Sequence, residues 1–419
     1  MLRSMFAAVS GLRSHQTMMD VVGNNIANVN TAGYKSSRAT FQDAMSQVIR
    51  GSSAVSAARA GTNPMQVGLG AQLGSIDGVF TQGSIQLTGR STDLAIQGDG
   101  FFVMQLNDQT LYSRAGAFSV DSTGGLTGPS GARIMGWMPM ADGTIDTQQP
   151  LEAITLPTGQ VIEPVATSAV TIGGNLPATG LAATPTVVTS SITIYDSLGA
   201  AHQLNFEWTK TNDATQEWTL DVTSPDNVAG PAVSLGGGTM TFDTDGTLLT
   251  PATGIITLTA ADFGAGTPQD IDLNFAEPGT ELVQYGDTIT AEARLQDGSE
   301  MGFLRGFEFG VDGSITGRFS NGLAKPLGMV ALATFNNAAG LQRQGENIFA
   351  ETLNSGVALV SQPGAGDAGV LTPGALEMSN VELANEFTNL IIAQRGFQAN
   401  ARAITASDEM LADTVNMKR

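Results

Sequence analysis

The apolar positions of this chain follow one period at its two ends and another in its middle. At the amino end, steps of three and four residues place apolar side chains at Leu2, Met5, Val9, Leu12, Met19 and Ile26. At the carboxyl end, the same steps place them at Leu383, Phe387, Leu390, Phe397, Ile404, Leu411 and Val415. This spacing predicts a long amphipathic helix at each end of the chain.

Each apolar stripe has two interpretations. One stripe alone is usually the face by which a helix packs on its own domain. Two observations favour a helix-to-helix contact instead. The stripes lie at the chain ends, which are poorly ordered unless they are tied down, and they repeat every ~3.5 residues, the period of a coiled coil, rather than every ~3.6. The end helices are therefore expected to pair with each other, with neighbouring subunits, or with both.

The first stripe runs into a segment rich in asparagine and glycine, which are poor helix formers. Asparagine side chains can bond to free carbonyls at the end of their own helix, or to the backbone of a neighbouring subunit. We expect a mixture of the two, with Asn25 and Asn28 the most important. The predicted joint between helix and following chain consists of Asn24, Asn25, Asn28, Asn30, Gly33 and Tyr34.

Short alternating apolar segments separated by turn motifs fill the middle of the chain. "FDTDGTLL", "LQDGSEMG" and "GVDGSITG" are such turns. Residues 190–210 read as a β-hairpin, and "EWTLDVT" from Glu217 continues the sheet. The fold class is therefore mostly β with α-helical termini. We expect the two terminal helices to pair as a coiled-coil-like core domain, and two stacked β domains to occupy the middle.

Proline- and glycine-rich joints near residues 150–164 and 277–279 bracket a central block that is predicted to be an insertion. The predicted divisions are a terminal helical core domain (1–33 and 376–419), an extended linker (34–75), a discontinuous inner β domain (76–150 and 286–375) and an outer inserted β domain (151–285).

The charge balance restricts the possible partners. The formal net charge is −20, whereas a nucleic-acid-binding surface is basic. No cysteine is present, so disulfides and thiolate sites are excluded. The amino terminus lacks the apolar core of a cleaved signal peptide, and no apolar run is long enough to cross a membrane. If the protein is exported, we expect a route that leaves its amino terminus uncleaved.

Nothing in the sequence indicates catalysis. The two histidines, His15 and His202, have no His or Cys neighbours at metal-ligand spacing. "DTDGT" at residues 243–247 resembles the start of a calcium loop but lacks the glutamate at its end, so it is predicted to be a solvated turn. "IQGDGFF" at residues 96–102 has no following GK[ST], and is predicted to be a tight turn. We therefore expect no enzyme activity, no catalytic residue, no metal site and no cofactor.

Three segments resemble the bacterial flagellar rod and hook proteins. The first segment spans residues 10–41 and contains "NNIANVNTAGYKSSRATF". The second segment begins with "IQGDGFFVM", and the third spans residues 379–411 and contains "QRGFQANARAI". The long middle, and residues 328–358 in particular, resemble the hook proteins of that family.

This resemblance implies a structural subunit that polymerises into a curved tube, a flexible universal joint that transmits motor torque. The terminal helices would line the core of the tube, and the β domains would form its outer shells. The implied partners are other copies of the chain, the flagellar rod, the hook cap, the hook–filament junction proteins and the type III export apparatus, with no nucleic acid or membrane. The implied location is extracellular, in the flagellum.

Alternative functions exist both within this family and outside it. Within the family, the alternative is a distal rod or hook–filament junction subunit. Outside it, the alternatives are a secreted β-rich adhesin, which leaves the terminal repeats unexplained, and a peptidoglycan enzyme, which requires a pair of carboxylates in an α-rich cleft.

Overall fold

The structure is a computed structural model that describes residues 2–52, 60–140, 143–157, 159, 161–179, 186–212, 214–225, 232–234, 239–258, 269–286 and 288–417. The chain forms two compact units. Unit 1 comprises residues 1–158, 307–317 and 325–419, and unit 2 comprises residues 159–306 and 318–324. Unit 2 overlaps the insertion predicted over residues 151–285 and extends beyond it towards the carboxyl end.

Helices lie at the two ends of the chain and strands fill the rest. The helices are α1 (Leu2–Ala27) and α2 (Leu383–Asn416). The prediction of a mostly β chain with paired terminal helices is confirmed.

The strands up to residue 158 belong to unit 1. They are β1 (Ser37–Asp43), β2 (Ser46–Arg50), β3 (Met65–Gly68), β4 (Ala71–Gly78), β5 (Ile85–Leu87), β6 (Leu94–Gln97), β7 (Phe101–Leu106), β8 (Gln109–Ser113), β9 (Ser119–Val120), β10 (Leu126–Thr127), β11 (Arg133–Trp137) and β12 (Glu152–Ala153). Unit 2 then contributes β13 (Val161–Ile162), β14 (Ala169–Leu176), β15 (Val187–Tyr195), β16 (Ala201–Asn212), β17 (Glu217–Thr223), β18 (Ala232–Ser234), β19 (Met240–Phe242), β20 (Leu248–Thr250), β21 (Thr253–Leu258), β22 (Gln269–Asn274), β23 (Leu282–Gln284) and β24 (Glu292–Gln296). The chain continues through β25 (Gly302–Phe309), β26 (Ser314–Phe319), β27 (Ala324–Val330), β28 (Leu332–Thr334), β29 (Gln342–Gly345), β30 (Ile348–Ala350), β31 (Leu359–Ser361), β32 (Val370–Pro373) and β33 (Ala375–Glu377).

An antiparallel sheet with the order β27-β11-β7-β8-β30-β29 forms the body of unit 1. The strand β7 is central because "FFVM" is apolar on both faces, and all four of these side chains are buried. The predicted turn ahead of it is confirmed, with Gly98 and Gly100 at positive φ. One core cluster of this unit contains Phe101, Val103, Tyr112, Met135, Trp137, Ala331, Ala333, Leu341 and Phe349.

The segment predicted to be an extended linker contains two antiparallel strand pairs. The strand β1 pairs with β4, and β2 pairs with β3. Val48, Ile49 and Met65 are all more than half exposed. Apolar side chains are exposed along this ribbon. Its sequence therefore lacks the alternation of apolar and polar residues by which a strand is recognised.

Unit 2 is a sandwich of two sheets around one core. The first sheet is β15-β16-β17-β19-β20, and it contains the predicted hairpin, in which Ile192 pairs with Leu204. The second sheet is β18-β21-β22-β14-β23, with β24 also paired to β14. Strand alternation buries Leu204, Phe206 and Trp208 on one face of β16, so that this face closes the core. The predicted turn at residues 243–247 is confirmed and exposed to solvent.

We predict that Trp208→Ala destabilises unit 2. Trp208 is fully buried in the core, 5.9 Å from the parallel ring of Phe206, and removing a buried tryptophan costs about 3–5 kcal/mol. Chemical denaturation followed by circular dichroism measures the change. The control is Leu198→Ala in the hairpin turn, where the leucine is 67% exposed and a change within about 0.5 kcal/mol is expected. Equal effects of the two variants would contradict the assigned core.

Candidate functional site

The two terminal helices pack against each other in one antiparallel register. A Cβ atom on Gly11 would lie 2.8 Å from Asn400 Nδ2, and one on Gly396 would overlap the ring of His15. The step of four residues from Gly11 to His15 along α1 therefore corresponds to a step of four residues from Asn400 to Gly396 along α2, in the opposite chain direction. Further along the pair, Asn25 Nδ2 donates to Glu386 Oε1 at 3.1 Å, which continues the same register to the end of α1.

Small and polar residues form the contact between the helices, which we call the seam. Among the described side chains, those of the helix pair that are buried are Ala8, Ser14, Val22 and Asn25 of α1 and Ala393 and Ser407 of α2. Small side chains allow close approach of two helix backbones. The seam therefore holds the helices together without using most of their large apolar residues.

The predicted apolar stripes flank this seam instead of filling it. Half-buried positions are Met5, Val9, Leu12, Met19, Ile26, Leu390, Phe397, Ile404 and Leu411. Exposed positions are Leu383, Phe387 and Val415. The side chain of Leu2 lies outside the described residues. Phe6, Ile391 and Ile392 are also more than half exposed, so the helix pair exposes large apolar side chains along its length.

Apolar periodicity did not identify the seam residues. The signal that could have identified them is glycine in the interior of each helix, at "VSGLRSH" and "QRGFQAN". Glycine is costly inside a helix, and Gly11 and Gly396 are both positions where a neighbouring side chain occupies the space of a Cβ atom.

The predicted helix stop lies where the structure ends α1. The backbone N–H of Asn28 donates to the carbonyls of Asn24 and Asn25, and the Asn28 side chain donates to the Asn24 carbonyl at 3.0 Å. Asn28 therefore closes the helix of its own subunit, and Asn24 accepts from it through Oδ1 at 2.7 Å. Asn30 is exposed.

Asn25 connects three parts of unit 1. Its Oδ1 accepts from the Ser37 backbone N–H at 2.9 Å and from the Tyr34 hydroxyl at 3.2 Å. Its Nδ2 donates to the Ser37 carbonyl at 2.8 Å and to Glu386. The side chain is 1% exposed, so these bonds replace water that it has lost. Asn25 thereby joins α1, the first residue of β1 and the first turn of α2.

Glu386 is a carboxylate with only part of its hydrogen-bonding capacity used. Burial raises its pKa, and the bond from Asn25 opposes that rise. Its second oxygen, Oε2, is buried without a hydrogen-bond partner among the described residues. The contact with Asn25 is therefore the interaction that compensates this carboxylate for its burial.

Directly after the joint, a buried ionic cluster fixes the chain. Lys35 Nζ lies 2.6 Å from Glu377 Oε1, and Arg114 lies 3.4 Å from Glu377 Oε2. The Lys35 and Glu377 side chains are fully buried. Glu377 also accepts from the Gly83 backbone N–H at 2.8 Å. Removing one member of a buried ion pair leaves an uncompensated charge, which costs about 3–5 kcal/mol.

Burial acts against the charged forms of both cations in this cluster. It lowers the pKa of Lys35 and the pKa of Arg114, and the nearby carboxylate of Glu377 opposes both changes. Lys35 also donates to the Thr81 carbonyl at 2.8 Å, and Arg114 donates to the Gly98 carbonyl at 2.8 Å. The cluster thus connects the chain leaving α1 with the strand that leads to α2.

Gly33 and Tyr34 attach the joint to the sheet of unit 1. Gly33 has φ +70°, and a Cβ there would lie 2.6 Å from the backbone nitrogen of Ala115, so glycine is required. Its N–H donates to the Glu377 carbonyl at 2.7 Å. Tyr34 is buried, and the guanidinium of Arg343 lies 5.3 Å from its ring centre. Lys35, Arg114, Arg343 and Glu377 were not among the predicted site residues.

The amino end of α2 has no side-chain cap. The helix begins at Leu383, and its N-cap residue, Glu382, makes no side-chain cap bond. Asn380 accepts from the Ser36 N–H and donates to the Val79 carbonyl, both at 2.8 Å. Its side chain holds the two chain ends together, which is a tertiary role that a local capping rule does not anticipate.

Within the described residues, no group of three or more His, Asp or Glu side chains could hold a metal ion. No helix in that part of the chain is long and apolar enough to cross a lipid bilayer.

Four family profiles match the chain. They describe the flagella basal body rod protein (residues 5–35), the flagellar hook protein FlgE/F/G D1 domain (95–175), the flagellar basal body protein FlaE D2 domain (165–299) and the flagellar basal body rod FlgEFG protein C-terminal region (372–417). The first and last profiles coincide with the helix pair and its joint.

Proteins named as flagellar hook or rod proteins are similar to this chain over nearly its full length. The flagellar hook protein FlgE of Treponema pallidum (strain Nichols) is 38% identical over 100% of both chains. That of Salmonella typhimurium is 34% identical over 98% of this chain and 99% of its own. The flagellar basal-body rod protein FlgG of Bacillus subtilis is 32% identical over 100% of both.

A solved structure shares the fold. The crystal structure of Helicobacter pylori flagellar hook protein FlgE2 matches with a TM-score of 0.51 at 15% identity, and covers 70% of this chain and 100% of that one.

We predict that Asn25→Ala loosens the helix pair and leaves unit 2 intact. The variant leaves the Ser37 N–H, the Tyr34 hydroxyl and Glu386 without their partner, and each unsatisfied buried group costs about 1–3 kcal/mol. Loss of helical circular dichroism on heating measures the effect, while the fluorescence of Trp208 and Trp218, in a Trp137→Phe background, follows unit 2. Asn30→Ala, at an exposed position of the same turn, is the matched control and is expected to melt like the parent. Identical melting of both variants would contradict the role given to Asn25.

Proposed function

The chain belongs to the flagellar hook protein family, and on that premise we propose that it polymerises through its terminal helices into a curved tube, the flexible joint between rod and filament. The observation that carries this proposal is the apolar surface of the helix pair. Phe6, Phe387, Ile391, Ile392 and Val415 are each 50–70% exposed in the single chain. Several large apolar side chains exposed on the same pair of helices favour an interaction surface.

The same stripes supply the proposed subunit contacts. Because the seam between α1 and α2 uses small residues, Met5, Val9, Leu12, Leu383 and Phe387 stay available to other copies of the chain. Contacts that use different surfaces on the two subunits and do not close a ring generate an open filament. Ordering of helices that expose apolar faces is also favoured when a neighbour covers those faces.

The alternative functions have less support. A distal rod subunit is the nearest alternative, because the Bacillus subtilis relative is a rod protein at 32% identity. The hook proteins of Treponema pallidum and Salmonella typhimurium are more similar, at 38% and 34%. A secreted adhesin leaves the exposed helix faces without a purpose.

The proposed location and partners follow from membership of the hook family. We place the polymer outside the cell, after export of the unfolded chain through the flagellar type III apparatus without removal of a signal peptide. The partners at the two ends of the polymer are the rod and the hook–filament junction proteins, with the hook cap present during growth. No enzymatic step is part of this proposal.

The mechanical role requires that some contacts hold while others shift. We assign the fixed contacts to the helix pair, where apolar surface is buried between subunits. The shifting contacts are assigned to unit 2, where exposed polar side chains lie on the hairpin of the first sheet; they are Thr189, Ser191, Thr193, Gln203 and Glu207. Alternative packings of similar energy at an interface are a common basis of such movement.

We predict that the double variant Ile391→Gln, Ile392→Gln abolishes polymerisation and leaves the monomer folded. Both side chains are more than half exposed, and full burial of one such side chain contributes about 1.5–3 kcal/mol. Sedimentation and negative-stain microscopy measure assembly, and circular dichroism measures folding. Gln398→Ser, at an exposed polar position of the same helix, is the control and should still form curved tubes. Curved tubes from the Ile391→Gln, Ile392→Gln variant would refute the helix contacts, and straight tubes from the parent would favour a rod subunit.

We predict that removal of residues 166–298 preserves polymerisation but changes the curvature and bending stiffness of the tube. The chain enters and leaves this part at adjacent points, because Val165 and Ser299 exchange backbone hydrogen bonds at 3.0 and 2.8 Å. A short Gly-Ser linker can therefore replace it without strain. Electron microscopy measures the curvature and the fluctuation of tube contours. Unchanged curvature and stiffness would exclude unit 2 as the source of the shifting contacts.

A further inference from the structure

We propose that two reciprocal contacts, Asn400 on Gly11 and His15 on Gly396, are the specificity determinants that set the register of the helix pair. We call these four residues the clasp. The inference rests on the proposed function, since a helix pair of defined register is what presents the apolar stripes to other subunits. It concerns a different property, the choice among possible alignments of α1 and α2 within one chain.

The first contact places a polar side chain over a glycine of the opposite helix. Asn400 lies so close to Gly11 that an added Cβ would be 2.8 Å from its Nδ2 and 3.1 Å from its Cγ. The amide is held in that position because Nδ2 also donates to the Gly396 carbonyl, one turn earlier on its own helix, at 3.0 Å. The Asn400 side chain thus has a fixed direction, and Gly11 leaves the space that it enters.

The second contact reverses the roles of the helices. The ring of His15, from α1, occupies the space where Gly396 of α2 would carry a Cβ atom. Its Nδ1 is buried with no hydrogen-bond partner in the described part of the chain. A polar atom buried without a partner costs free energy, so this position does not maximise stability. Such a cost is typical of residues that select one alignment, as a single buried asparagine does in a coiled coil.

The rest of the seam selects a register only weakly. Ala8, Ser14, Ala393 and Ser407 are small, and small side chains pack similarly after a shift of one helical turn. In a shifted alignment, His15 and Asn400 would meet residues with a Cβ atom. Only the observed alignment therefore gives both side chains a glycine. The two clasp residues of each helix are four positions apart, so both contacts form in one and the same register.

Glycine-to-alanine variants distinguish the clasp from ordinary helix propensity. Alanine is favoured over glycine inside a helix, so propensity alone predicts that Gly11→Ala and Gly396→Ala strengthen the pair. The clasp predicts the opposite sign, with polymerisation requiring about tenfold more protein because the seam is overpacked. The matched control is Gly23→Ala on α1, where a Cβ atom would meet nothing within 4 Å, and no weakening is expected. His15→Ala combined with Gly396→Ala should restore assembly.

Disulfides between introduced cysteines measure the register directly, because the chain has no cysteine of its own. Val22 and Asn389 line one cavity where α1 and α2 meet the segment around β1, and they are paired by the register of the Gly11–Asn400 and His15–Gly396 contacts, whereas Ala393 lies one turn further along α2. In the parent background, the pair Val22→Cys with Asn389→Cys should form an intrachain disulfide on oxidation, and Val22→Cys with Ala393→Cys should not. Adding Gly396→Ala should lower the yield of the first pair and raise that of the second.

The outcomes separate the clasp from the proposed function. The clasp is refuted if the Val22–Asn389 disulfide fails to form in the parent, or if Gly396→Ala and Gly11→Ala leave both its yield and assembly unchanged. Failure of the parent to polymerise, with the register and its response to the variants as expected, would refute the proposed polymer and leave the clasp standing.

Discussion

The close approach of the two terminal helices depends on glycine at Gly11 and Gly396, where the opposite helix inserts a side chain into the space of a missing Cβ atom. Close approach makes backbone and small side chains sufficient for the intrachain contact. The large apolar residues then remain on the outer sides of the pair. A helix pair with leucine and phenylalanine in its seam would have left little apolar surface for other subunits.

A buried carboxylate brings the two chain ends to the same place. Glu377 stands at the end of β33, six residues before α2, and binds Lys35, which follows the end of α1. Hydrogen bonds from Asn25 to Glu386 and from Ser36 to Asn380 also connect the two ends of the chain. Buried ion pairs contribute little net stability but are strongly disfavoured when one partner is misplaced. The cluster therefore specifies where the helices leave the β sheet.

Most of unit 2 is a segment whose two ends are adjacent. Residues 166–298 begin and end beside Val165 and Ser299, which exchange backbone hydrogen bonds, and the core of this segment contains Trp208 and Trp218. A domain inserted through adjacent ends can change or be lost without disturbing the residues that surround it.

The sequence by itself determined the secondary structure of the ends, the β character of the middle and the hairpin predicted at residues 190–210. These follow from local periodicity and turn chemistry, which each segment carries independently. The asparagine-rich joint was also recognisable, because its composition is incompatible with a continued helix. The ribbon at residues 37–78 was not, since its exposed apolar residues do not alternate with polar ones.

Only the tertiary structure decided which face of each helix meets the other. Apolar periodicity marks Met5, Val9 and Leu12 as buried, whereas the helices meet at Ala8, Gly11 and His15. The reason is physical: a stripe of large residues shows that a surface avoids water, but not which molecule covers it. The partners of Asn25, Lys35 and Glu377 lie 9 to 361 residues away along the chain, and contacts over such separations exist only once the chain has folded.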